Sequence, residues 1–79
     1  MENLVLYYYP TCPYCRKVTK FIDKHELEEI ELKNINKDEE AEKRLIEVGG
    51  KRQVPCLFID GEPLYESDDI ISWLQGNLL

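Results

Sequence analysis

An unbroken apolar run, Leu4-Val5-Leu6-Tyr7-Tyr8-Tyr9, ends at Pro10. Without polar alternation, such a run suits a central strand covered on both faces. Val18, Phe21, Ile22 and His25 then recur at i, i+3, i+4 and i+7, the repeat of a helix. Thr11-Cys12-Pro13 supplies its start, with Thr or Cys at the cap and proline near the first helical position. The spacing predicts a helix from about Pro13 to about Lys24, so Cys12 falls at a strand-to-helix junction.

Ile30, Leu32 and Asn34 alternate with charged residues as a second strand would. Asn36 or Asp38 can cap a second helix, whose acidic first turn (Asp38, Glu39, Glu40) suits the positive end of the helix dipole. Its inward stripe is Ala41, Leu45 and Val48, and Gly49-Gly50 ends it. Val54–Ile59 reads as a third strand, and Asp60-Gly61 is a strong hairpin signal leading to a fourth strand around Pro63–Tyr65. Ser67, followed by Asp68-Asp69, caps a last helix with Ile70, Ile71 and Leu74 on its inner side. The order is βαβαββα. An α/β fold follows: a four-stranded mixed sheet flanked by three helices, parallel where helices cross over and antiparallel at the hairpin.

At 79 residues the chain suffices for a single domain spanning 1–79, with its 43% hydrophobic residues spent on one core. A monomer is expected. The net charge is −6, with acids crowded between Glu26 and Glu47, which argues against nucleic acid or anionic membrane as partner. Most of that charge reads as a solvated surface. Basic residues nonetheless cluster locally, as Arg16, Lys17 and Lys20 after the first cysteines and as Lys51-Arg52 before Pro55. There is no leader-like segment, and Leu4–Tyr9 is too short to cross a bilayer, so a cytoplasmic location is expected. In that compartment a close cysteine pair points to catalysis or metal binding rather than to a structural staple.

Cys12-Pro13-Tyr14-Cys15 places two thiols three residues apart at a helix start, on the same side of the first turn. A disulfide between them needs no unwinding of the chain. Cys12 sits where unpaired backbone N–H groups and the helix dipole favour negative charge, so it is the expected nucleophile, with Arg16 and Lys17 one turn away. Cys15 lies deeper in the turn and should be the less exposed, less acidic thiol. Half a zinc site has the same spacing, but the remaining soft ligands are Cys56 and His25, and His25 stands at the far end of the first helix. No metal is expected. Cys56, at the start of an apolar strand, reads as an inert buried thiol.

The element order, the CPYC motif after the first strand, Val54-Pro55 before the third and Asp68 at the last helix together resemble the glutaredoxins of the thioredoxin superfamily, over essentially the whole chain. The second half, Gln53-Val54-Pro55 and Tyr65-Glu66-Ser67-Asp68, also resembles the glutathione-binding half of glutathione transferase N-terminal domains. The resemblance implies a thioredoxin-like fold, a Cys12/Cys15 dithiol and glutathione as co-substrate, with no tightly bound cofactor. Partners would be glutathione and disulfide-bonded or glutathionylated proteins. It further implies a cis Val54–Pro55 bond with the Val54 backbone pairing with glutathione, Glu66, Ser67 and Asp68 at its γ-glutamyl end, Arg52 or Gln53 near its glycyl carboxylate, and Tyr14 beside it. This chain departs from the pattern twice: Tyr9-Pro10-Thr11 stands where many members carry a lysine, and Tyr65-Glu66 where they carry Gly-Gly. Rival readings are a glutaredoxin-like electron donor recharged by thioredoxin reductase, an iron–sulfur cluster carrier, and a detached transferase-like binding module.

Overall fold

The computed structural model describes residues 3–79. Its elements are β1 (Leu4–Tyr8), α1 (Pro13–Lys24), β2 (Ile30–Asn34), α2 (Glu39–Gly49), β3 (Cys56–Ile59), β4 (Glu62–Tyr65) and α3 (Ser67–Leu78). The order expected from the sequence is the order observed.

The strands form one sheet in the order β2-β1-β3-β4. β1 runs parallel to β2, with Leu6 opposite Leu32, and antiparallel to β3, with Leu6 opposite Leu57. Asp60-Gly61 closes the β3–β4 hairpin with φ of 51° and 88°, a left-handed pair whose twist matches the flanking strands.

Alternation along β1 sends Leu4 and Leu6 to one face and Tyr7 to the other. Leu4 and Leu6 join Val18 and Ile22 of α1, Leu57, and Ile70 and Leu74 of α3 in one core cluster. Tyr7 joins Ala41 and Leu45 of α2 with Cys56 and Phe58, its ring centroid 4.6 Å from that of Phe58. Two helices therefore cover one face and a single helix the other. Removing a fully buried side chain such as Leu6 should cost about 2–5 kcal/mol.

Four expectations need correction. Leu32 is 44% exposed, because β2 is an edge strand and its outer part runs past the cover of α1. Val48 is 39% exposed, because the last turn of α2 turns Gly49 toward the sheet, so close that a Cβ there would land on the Tyr65 hydroxyl. β3 begins at Cys56 rather than Val54, the preceding residues forming a bend. Ser67 is the first helical residue of α3 and not its cap; Glu66 holds the cap position, with no side-chain capping bond. The cap of α2, in contrast, is Asp38, whose carboxylate accepts the Ala41 N–H at 3.1 Å.

Candidate active site

Between β1 and α1 the chain turns tightly, the Cys12 N–H donating to the Tyr9 carbonyl at 3.3 Å. Cys12 caps α1 with extended backbone, and its carbonyl accepts the first helical bond, from Arg16 N–H at 3.0 Å. Pro13 follows at the start of the helix, where its missing N–H costs nothing. Both thiols are free, Cys12 at 8% exposure and Cys15 fully buried. Their sulfurs are within hydrogen-bond reach of each other. Burial pushes the Cys15 thiol up to about 12, the Cys12 sulfur adds to the shift, and a hydrogen bond with the Tyr9 backbone opposes it. The expected asymmetry of depth is present: the outer sulfur opens the helix and the inner one keeps its proton.

Beside this turn lies a groove of about 650 Å³ between the first turns of α1, the bend before β3 and the start of α3. Tyr14, Gln53, Val54, Pro55, Glu66, Ser67 and Asp68 all line it, so residues up to 54 positions apart in sequence meet on one surface. The Val54–Pro55 bond is cis. Glu66 holds φ 72° and ψ 121°, a left-handed backbone ordinarily left to glycine. Ser67 is buried, and Tyr14 is 64% exposed at the rim.

Arg52 does not join them. Its guanidinium donates to Glu42 at 2.8 Å and to Asn36 at 3.1 Å, and stacks over the Tyr9 ring at 5.8 Å, which turns it toward α2. The cation in the groove is Lys17 instead, paired with Asp68 at 2.8 Å, and Asp69 is a further wall residue. Neither was among the expected ligand residues. Both had a local signal: Lys17 stands three residues after Tyr14 on the same helical face, and Asp69 belongs to the acidic first turn of α3.

The third cysteine is a separate structure. Cys56 is fully buried in β3 against the Tyr65 hydroxyl and the Leu64 backbone, and burial pushes its thiol up to about 11. The Tyr65 hydroxyl donates to the Gly49 carbonyl at 3.0 Å, and Lys51 lies over its ring at 4.6 Å. His25 follows the last turn of α1, its ring 4.5 Å from that of Phe21.

Two buried thiols at a helix mouth can open and close a disulfide, and comparison with known proteins assigns that chemistry. The Glutaredoxin family model matches residues 4–64. Glutaredoxin 1 of Rickettsia prowazekii (strain Madrid E) is 36% identical over 74 residues, covering 91% of this chain and 77% of that protein. A solved mutant of the thioredoxin-like protein BC3987 is 31% identical, with a TM-score of 0.77 over 95% of this chain and 94% of the other. Glutathione transferase Omega 3C from Trametes versicolor superposes with a TM-score of 0.79 over 96% of this chain and 32% of its own, at 23% identity. That last likeness shows the fold alone and does not single out the second half, so the transferase-like reading of residues 53–68 is not carried by it. The helix-mouth dithiol, the fold and the match over residues 4–64 place this chain in the glutaredoxin family, whose members are thiol–disulfide oxidoreductases.

Proposed function

We propose that this protein is a glutathione-dependent oxidoreductase that reduces protein–glutathione mixed disulfides and protein disulfides with Cys12 as nucleophile and Cys15 as resolving thiol. The observation that carries the reading is the groove beside the dithiol, walled by every expected ligand residue except Arg52. Unpaired N–H groups at the start of α3 suit the γ-glutamyl carboxylate, and Glu66, Asp68 and Asp69 suit its ammonium. The Lys17–Asp68 pair in this region is exposed, worth about 0–1 kcal/mol, so an incoming ammonium displaces it at little cost. Gln53 remains for the glycyl end, and Val54, in the wall of the groove, pairs its backbone with the cysteinyl part as an added strand.

The Cys12 thiolate attacks the glutathione sulfur of a mixed disulfide, forming a Cys12–glutathione disulfide and releasing the protein thiolate, which takes up a proton. A second glutathione thiolate attacks the bound glutathione sulfur, freeing Cys12 and leaving as oxidised glutathione. With a protein disulfide, Cys12 forms a mixed disulfide with one sulfur of the substrate. Cys15 then loses its proton and attacks the Cys12 sulfur, closing Cys12–Cys15 and expelling the reduced substrate. A single domain in a reducing compartment such as the cytosol fits a dithiol that must be recharged on each cycle.

The test is turnover of a glutathione mixed disulfide with glutathione as the sole reductant. Sustained turnover is expected. A second reading, an electron donor recharged by thioredoxin reductase, draws on the 31% identity to a thioredoxin-like protein and on the absence of a lysine before Cys12. Supplying each reductant in turn separates them: activity with thioredoxin reductase and none with glutathione selects the second.

A further inference from the structure

On the side of the dithiol away from the glutathione groove, a second groove of about 410 Å³ runs between α1 and the edge strand β2, with Cys15 in its wall. Its apolar lining is Tyr8, Pro10 and Leu32, and Leu32 is 44% exposed on an edge strand whose outer side is unpaired. Arg16 and Lys20, one helical turn apart on α1, form its charged wall. Among the described residues neither makes an ion pair, whereas Lys17, Lys33 and Arg52 each do. The two grooves therefore carry opposite charge: Glu66, Asp68 and Asp69 against one lysine in the first, two uncommitted cations in the second. A chain of net charge −6 repels acidic partners over most of its surface, so a basic apolar groove beside the redox pair is a selective landing place for one.

Building on the oxidoreductase reading, we propose that this second groove docks the protein part of a disulfide substrate, and that the segment it takes is acidic with an apolar side chain: the apolar group against Tyr8, Pro10 and Leu32, a carboxylate against Arg16 or Lys20. The substrate disulfide then reaches Cys12 from the Cys15 side and leaves the first groove to glutathione. Cys15 is next to the docked chain when the mixed disulfide has to be resolved. Protein and glutathione do not compete for one surface.

The experiment uses pre-reduced protein and single-turnover reduction of two disulfide peptides, identical except that the flanks of the disulfide carry Glu-Leu in one and Lys-Leu in the other. No glutathione is needed, so the result is independent of which reductant recharges the enzyme. The wild type should reduce the acidic peptide about tenfold faster, with a rate that falls as salt rises. Lys20→Glu combined with Leu32→Ser should erase that preference and its salt dependence, while reduction of a small uncharged disulfide stays within about twofold. Arg16 is left intact because it adjoins Cys15. Equal wild-type rates for the two peptides, or a double variant that slows both peptides and the small disulfide alike, overturns the docking proposal. Loss of turnover with glutathione alone bears only on the reductant.

Discussion

Cys15 and Cys56 are alike in most local respects: each is fully buried, unpaired in a disulfide, adjacent in sequence to site residues and pushed well above the ordinary thiol range by burial. They differ in what their sulfurs touch. Cys15 faces a second thiol at the mouth of α1, whereas Cys56 faces the Tyr65 hydroxyl, itself tied to the Gly49 carbonyl. One arrangement has a partner with which a covalent bond can form and break. The other ends in a hydroxyl and a carbonyl, which only hold β4 against α2. Neither burial nor acidity separates a redox cysteine from a structural one in this fold; the identity of the neighbouring group does.

The largest test of that contrast removes the outer thiol. Cys12→Ser should abolish turnover of every disulfide substrate, measured by thiol release, with the fold intact by circular dichroism. Retained activity in that variant would force Cys56 to be considered as nucleophile and end the contrast. Cys15→Ser should divide substrates: small glutathione mixed disulfides still turn over, while reduction of protein disulfides that depend on resolution falls by about tenfold or more, as expected when release of a mixed disulfide has to wait for an external thiol. Equal loss on both substrate types, in a folded variant, would contradict the assigned division of labour.

Gly49→Ala probes the structural side. The added methyl meets the Tyr65 hydroxyl, so the hydroxyl must leave both the Gly49 carbonyl and the Cys56 thiol. A loss of about 1–3 kcal/mol in denaturant unfolding is expected, from overpacking and a displaced buried hydrogen bond. Activity per folded molecule should stay near wild type. A large fall in activity without loss of stability would show that this cluster takes part in the redox site after all.

The same contrast explains what the sequence made legible. β1, α1 and the Asp60-Gly61 hairpin follow from local rules: apolar period, a proline at the helix start and a turn pair with positive φ. The dithiol was readable because its parts lie three residues apart on one turn. Arg52 was not, because its fate depends on Glu42 and Asn36, ten and sixteen residues away, which compete for its guanidinium. Ser67 has the composition of a cap, yet Glu66 takes the cap position by adopting φ 72°, a backbone state that no propensity for glutamate predicts. Leu32 and Val48 kept the period of their elements and still faced water, since the period marks a face but not how far its cover extends. The second groove belongs to this class: its walls come from β1, α1 and β2 and exist only after packing.

Alkaline titration gives a smaller effect that both buried thiols share. In the unfolded chain each loses its proton near 9, whereas in the folded state the proton is held to about 12 at Cys15 and about 11 at Cys56. Below pH 9 neither thiol biases folding. Above it the unfolded state binds fewer protons than the folded one, so stability falls with rising pH, by at most about 1.4 kcal/mol per pH unit for each thiol. Cys56→Ala isolates one contribution. At neutral pH it should cost only about 1 kcal/mol, the loss of a small buried side chain, because Tyr65 keeps its bond to Gly49. Turnover of glutathione mixed disulfides should be unchanged, since no redox partner has been removed. Between pH 9 and about 11 the variant should lose stability less steeply than wild type, so the two curves should converge and then cross. Guanidinium unfolding at stepped pH under reducing conditions measures the slope. If Cys56→Ala leaves the alkaline slope as steep as wild type, Cys56 does not hold its proton through burial, and the likeness to Cys15 in acidity, against which the difference in neighbours is drawn, is lost.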